Sequence, residues 1–230
     1  MKLSTRLKAV TDLLTRGLRV ADIGCDHAYI SIYLLENQIA SHVIAMDVNV
    51  GPLKRAKHNI ESYGFGNDIE TRLSDGAKCL KPGEVDTLLI AGMGGALVRK
   101  ILMESSEVVS YCEELVLQPQ SEIFLVRRYL HEIGYTIVEE NMLIDDGKYY
   151  TMMKARKGKE TYENPIFYLY GKDLLVKKNV TLHQFLQREL EKKVEVIGRL
   201  QGENDRLQER IDQLNEEIEY LREGLSYYDL

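Results

Sequence analysis

The chain has 230 residues, 44% hydrophobic and 29% charged, with a formal net charge of −6, which fits a soluble globular protein of one α/β domain and an appendage. It excludes a membrane helix, since no apolar run approaches the roughly 20 residues one needs. Cys25, Cys79 and Cys112 have no CxxC spacing and Met1 to Lys8 has no signal-peptide core, so a cytoplasmic chain with no metal site, structural zinc or disulfide framework is expected.

Leu3, Leu7, Val10, Leu13 and Leu14 recur at helical spacing, which predicts an amphipathic helix ending near Gly17. Its polar face carries Lys2, Arg6, Lys8 and Arg16, either as a solvated face or as a patch for phosphate. Val20 to Ile23 is an apolar strand that runs through Gly24-Cys25-Asp26-His27 into a helix from about Ala28 to Glu36. Such a junction frees backbone N–H groups and lets a ligand approach the main chain. Asp22 and Asp26 argue against a bare pyrophosphate, which added negative charge repels. They suit a ligand with a cationic group and hydroxyls, and S-adenosylmethionine carries a sulfonium, an ammonium and a ribose. Cys25 reads as a small residue that fits a tight bend. Asp26 reads equally as the N-cap of the following helix or as a functional acid.

His42 to Met46 is a second buried strand, ending at Asp47. The interval from Gly24 to Asp47 is the usual distance from a glycine turn to a ribose-binding acid. Gly51-Pro52 opens a helix through Tyr63. Ile69 to Leu73 reads as strand three, and Ser74-Asp75-Gly76 either as an ordinary turn or as the wall facing an adenine ring. Strand four, Val85 to Ala91, ends in Gly92-Met93-Gly94-Gly95 and leads to a helix from Ala96 to Met103. Three glycines in four residues at the carboxyl end of a strand predict a floor on which a base lies close to the backbone. Leu115 to Leu117 is strand five, followed by Gln118-Pro119-Gln120, with Ser121 as cap of a helix to about Ile133. Tyr135 to Leu143 and Tyr149 to Ala155 close the domain as a strand pair around Asp145-Asp146-Gly147-Lys148.

After Lys159 the composition shifts. Pro165, Tyr168 and Tyr170 read as a connector. Leu182, Leu186, Leu190, Val194, Ile197 and Leu200 form one apolar stripe, and Leu207, Ile211, Leu214, Ile218, Leu221 and Leu225 another with coiled-coil spacing. Gln201-Gly202-Glu203-Asn204-Asp205 lies between them as stop and start. The pattern predicts two antiparallel helices; the rival is one long helix that dimerises. The domains are therefore 1–160 and 161–230.

Five motifs together resemble the bacterial TrmK family of tRNA (adenine-N1)-methyltransferases. They are Leu3-Ser4-x-Arg6-Leu7, Ala21-Asp22-Ile23-Gly24-x-Asp26-His27-Ala28-Tyr29, Gly51-Pro52, Ala91-Gly92-Met93-Gly94-Gly95, and Leu117-Gln118-Pro119. The resemblance covers roughly Met1 to Arg156, and the helical tail looks like the family's coiled-coil domain. It implies a class I, Rossmann-like, S-adenosylmethionine-dependent methyltransferase fold and N1 methylation of adenosine 22 in tRNA. The family usually has serine at Cys25, proline at Ser31, glutamate at Asp47 and asparagine at Gln120. Asp47 keeps the carboxylate and Gln120 keeps an amide, so neither change removes a functional group, and Ser31 bears on the helix start more than on chemistry.

By the resemblance, S-adenosylmethionine lies over Asp22, Gly24, Cys25 and Asp26, with its ribose on Asp47 and Val48, its adenine near Asp75 and Gly76, and its methyl facing Gly92, Met93 and Gly94. The target adenine has N1 on its pairing edge and must turn out of the RNA. Asp26 is then the carboxylate that stabilises the cationic ring or takes the N6 proton, with His27 as alternative and Tyr29 as a stacking surface. The acidic total requires local phosphate contacts, expected from Lys2, Arg6, Lys8, Arg16 and Arg99, and from Lys177, Lys178, Arg188, Lys192 and Lys193 on the tail. A monomer is expected, with a dimer through the tail open. The rivals are a small-molecule methyltransferase, a nicotinamide oxidoreductase, disfavoured by the incomplete GxGxxG, and a non-catalytic coiled-coil adaptor.

Overall fold

The structure is a computed structural model and describes residues 1–200 and 208–229. Contacts divide it into two compact units, Met1–Thr161 and Tyr162–Leu230. The first unit runs α1 (Thr5–Asp12), β1 (Leu18–Ile23), α2 (Tyr29–Glu36), β2 (Ala40–Asp47), α3 (Val50–Ser62), β3 (Ile69–Leu73), β4 (Thr87–Met93), α4 (Gly95–Glu104), α5 (Ser106–Tyr111), β5 (Glu114–Pro119), α6 (Ile123–Glu132), β6 (Tyr135–Asp145) and β7 (Lys148–Lys157). Its strands form one sheet in the order β3-β2-β1-β4-β5-β7-β6. The first five are parallel, and β7 is antiparallel to both β5 and β6.

Parallel strands covered on both faces read as unbroken apolar runs, and Leu88, Leu89 and Ile90 are all fully buried. Alternate side chains feed two cores. Ile23, Leu88, Ile90 and Leu117 pack with Val98 and Leu102 of α4 and Val126 and Leu130 of α6. Val20, Val43, Leu89 and Val116 pack with Val10 of α1, Ile32 and Leu34 of α2, and Ile60 of α3. Asp146 and Gly147 both have positive φ, 49° and 71°, as the two-residue turn that matches strand twist requires.

Glu114 opens β5 and is fully buried. Its carboxylate accepts from the Thr15 amide at 2.9 Å and the Thr15 hydroxyl at 2.7 Å. Lys154 and Arg156 of β7 approach it at 3.3 and 3.5 Å. This cluster ties the link between α1 and β1 to the amino end of the sheet.

Three local expectations are corrected. Ser121 is not the cap of α6; the helix follows Glu122 in the left-handed region, with no side-chain cap. Asp26 is not the cap of α2, which follows Ala28 at φ 57°, again uncapped. The stretch after Pro165 is not a plain connector: Phe167–Gly171 is a π-helical turn that passes into α7 (Lys172–Val176).

In the second unit, α8 (Val180–Leu200) and α9 (Gln208–Ser226) follow α7. Lys193 pairs with Glu217, and His183 stacks on Tyr228 at 4.5 Å. Numbers that rise along one helix fall along the other, so the two run antiparallel. Leu182, Leu186, Leu214, Ile218 and Leu221 are buried. Gly224 leaves room for its neighbours, since a Cβ there would meet Tyr170 at 3.2 Å and Leu186 at 3.3 Å. The expected bend at 201–205, and Leu207, lie outside the described residues.

Candidate functional site

Two chambers open at the carboxyl ends of β1, β2 and β4, where an open parallel sheet receives ligands. They share Gly24, Ala91 and Gly92. The first, of about 270 Å³, is walled by Asp22, Cys25, Asp26, His27 and Tyr29, with Arg6 and Gln120 opposite. The second, of about 280 Å³, is walled by Asp47, Val48, Asp75, Gly76, Met93 and Leu97.

Asp22 is 3% exposed. Burial pushes its carboxyl up to about 6, the hydroxyl and amide of Ser31 oppose that rise, and Asp47 adds to it. The Ser31 hydroxyl donates to Asp22 Oδ2 at 2.7 Å. Ser31 stands at the helix start, in the first turn of α2, and there it also bonds an acid of the chamber. Cys25 is buried, and burial pushes its thiol well above the ordinary range. Asp26 is exposed, with positive φ, and pairs with Arg55 at 3.2 Å and His27 Nε2 at 3.6 Å. The His27 and Tyr29 rings stack at 5.3 Å and 10°.

In the second chamber Asp47 is 8% exposed and accepts from the Asn49 amide at 2.8 Å. Val48 and Leu97 offer exposed apolar surface. Asp75 is exposed and pairs with Lys78 at 2.5 Å, which holds its carboxyl below the usual range. Met93 lies over the turn, with its Cε where a Gly24 Cβ would sit. At φ 79°, Gly24 meets both demands of the bend, a left-handed backbone and a close neighbour.

The glycine stretch divides in two. Gly92, at φ 81°, faces both chambers. Gly94 lines neither; a Cβ on it would meet Ser121 Oγ at 3.2 Å. A Cβ on Gly95 would strike the Ser121 carbonyl and lie 2.6 Å from that of Glu122. The last two glycines thus answer to packing against the β5–α6 link.

Several contacts at the chambers escape sequence reasoning, which marked Gln118 only as part of a motif. Gln118 is fully buried, and its Oε1 accepts from Arg6 Nη1 and from the Gly92 amide. Ile101 and Asn49 join the second wall. The role of Gln118 is not visible in the local pattern, because its partners Arg6 and Gly92 are distant in sequence. The basic residues expected at phosphate are mostly engaged. Lys8 pairs with Asp12, Lys177 with Asp173, Lys192 with Glu189 and Lys193 with Glu217. Arg16 donates to the carbonyls of Asn37 and Gln38, and Arg99 lies over the Tyr129 ring. Among the described residues, no helix is long and apolar enough to cross a membrane.

A family model described as a methyltransferase domain matches residues 3–153. The tRNA (adenine(22)-N(1))-methyltransferase of Bacillus subtilis is 39% identical over 158 residues, which is 69% of this chain and 66%, just under two thirds, of that one. The crystal structure of the B. subtilis m1A22 tRNA methyltransferase TrmK has a TM-score of 0.89 and 31% identity, over 97% of this chain and 99% of that one. A Streptococcus pneumoniae protein solved in complex with S-adenosyl-L-methionine has a TM-score of 0.88 and 29% identity, over 97% and 100%. On these matches the chain belongs to the methyltransferase domain family, among the bacterial TrmK tRNA methyltransferases.

Proposed function

We propose that this chain transfers the methyl group of S-adenosylmethionine to N1 of adenosine 22 in tRNA, as a cytoplasmic monomer. One observation carries the reading: an acid-walled chamber and a second chamber holding Asp47 meet at the bare strip Gly24, Ala91 and Gly92. The donor set fits S-adenosylmethionine. Asp22 suits its ammonium, Asp47 its ribose hydroxyls, and Val48 with Leu97 its adenine. The bound donor supplies an electrophilic methyl on sulfur, so what remains for the protein is to position the nucleophile.

N1 lies on the pairing edge of adenine, so the base leaves its stack to react. The His27–Tyr29 stack offers it an aromatic surface beside the strip. Methylation makes the ring cationic and acidifies the N6 amine. Asp26, exposed beside the first chamber, holds that charge and takes the N6 proton. Cys25 serves as a small buried wall. Leu182 and Leu186 of α8 and Leu214, Ile218 and Leu221 of α9 are buried within the single chain, which supports a monomer.

The test incubates pure protein, labelled methyl donor and unmodified tRNA, and maps the product. Label at N1 of adenosine 22 is expected. Label at another position, or tRNA left unlabelled while a small molecule is methylated, overturns the proposal.

A further inference from the structure

We propose that Ser31 is a positioning residue for the methyl donor: its hydroxyl holds the Asp22 carboxylate in the charged form that receives the donor's ammonium. The inference rests on the donor reading of the first chamber.

Ser31 lies in the first turn of α2 and is fully buried. Its Oγ donates to Asp22 Oδ2 at 2.7 Å, and its nearby amide also favours the charged carboxylate. No other hydrogen-bond donor to Asp22 is found among the described residues. Burial works against the charge, pushing the carboxyl up to about 6, so Ser31 opposes the dominant influence.

The surroundings supply little else. Asp47, at the end of β2, disfavours ionisation of Asp22. From the turn come the Cys25 thiol, held neutral by burial, Asp26 and the titratable His27. Tyr29 stands on α2, and β4 contributes only Ala91 and Gly92. Arg6, the one cation on the wall among the described residues, donates to Gln118. Losing a hydrogen bond to a charged acceptor shifts its ionisation by roughly one pKa unit or more, about tenfold.

The sign follows. Removing the hydroxyl raises the pKa of Asp22. The acid then goes neutral at a higher pH, and affinity for the ammonium is lost from the acid side first. Well above both pKa values the carboxylate is charged with or without Ser31.

Calorimetry with S-adenosylhomocysteine from pH 5.5 to 8.5 tests this on the full chain, Ser31→Ala and Ser31→Thr, each checked for folding by its thermal midpoint. Taking the ratio of Kd between variant and parent cancels what the two proteins share, including titration of the ligand. For Ser31→Ala the ratio is expected to be about fivefold near pH 6, to climb toward tenfold below it, and to close toward unity at pH 8.5, with Ser31→Thr restoring the parent profile. Should Ser31→Thr fail to fold, the pH slope of Ser31→Ala decides alone. A ratio that stays constant across the range, or a folded Ser31→Thr that behaves like Ser31→Ala, overturns the role of Ser31 and leaves the donor site standing. No binding by the parent at any pH overturns the donor reading and this inference with it.

Discussion

Arg6 Nη1 donates to Gln118 Oε1 at 2.5 Å. The same oxygen takes the Gly92 amide at 3.1 Å. The Arg6 guanidinium lies over the Tyr150 ring at 5.2 Å, and the Arg6 amide donates to Asp145 at 3.0 Å. One buried side-chain oxygen thus joins α1 on β5 to the strip where the two chambers meet. Gln118→Ala leaves the Gly92 amide and the arginine without that acceptor. The expected cost is about 1–3 kcal/mol of stability, read from the urea midpoint. A lower kcat should accompany it, because the strip loses its fixed orientation. Unchanged stability and turnover together would refute the strut.

Gly92 and Gly95 are expected to fail in different ways. Gly92→Ala has space, since its nearest neighbour is Arg6 Nη1 at 3.6 Å, but it has φ 81°. The strain is about 1–2 kcal/mol, and the new methyl projects into the strip. Activity should fall much further than stability. Gly95→Ala drives a Cβ onto the carbonyls of Ser121 and Glu122, so there the fold should suffer first. Thermal melts and initial rates on both variants check the contrast.

Asp26 and Asp47 should separate kinetically. Asp47→Ala removes the carboxylate proposed for the ribose, and the KM for the methyl donor is expected to rise at least tenfold. Asp26→Asn keeps the shape of an exposed side chain and loses the proton acceptor. Its kcat is expected to drop about 10²-fold or more with donor affinity little changed. Full turnover by Asp26→Asn would end its role in transfer.

Acid sensitivity has one readable source in the ion pair of Glu84 with Arg72. Two bonds, at 2.9 and 3.0 Å, join them. The guanidinium holds the Glu84 carboxyl down at about 2. A depressed folded-state pKa contributes stability that is fully present above the ordinary glutamate value, near 4.5, and lost as pH falls toward about 2. Glu84→Gln should therefore lower the urea midpoint at pH 7 and converge on the parent as pH falls from 4.5 toward about 2. Parallel curves would show that the pair carries no such linkage.

The sequence was most legible where backbone geometry is local. Ile69–Leu73 falls where its pattern placed it, and Asp146-Gly147 makes the turn its residue types favour. The six-residue helix Ser106–Tyr111 is too short to show a period. Helix starts misled because Ala28 and Glu122 adopt the left-handed region in place of a side-chain cap. Chamber walls drawn from the turn itself, such as Asp22, Gly24 and Asp26, were visible in the motif. Arg6 and Gln118 stand 112 residues apart, and Ser31 reaches Asp22 only once α2 packs back on β1. Those contacts belong to tertiary structure, which periodicity does not encode.

The strand β5 carries Glu114 with its cluster of cations at one tip and Gln118 under the reactive floor about 13 Å away. Foundation and workbench occupy opposite tips of one short segment. Substitutions at Gln118 act on the strip at one tip and leave the masonry of Glu114 at the other untouched. Such a division lets damage to the strip be told apart from damage to the amino end of the sheet.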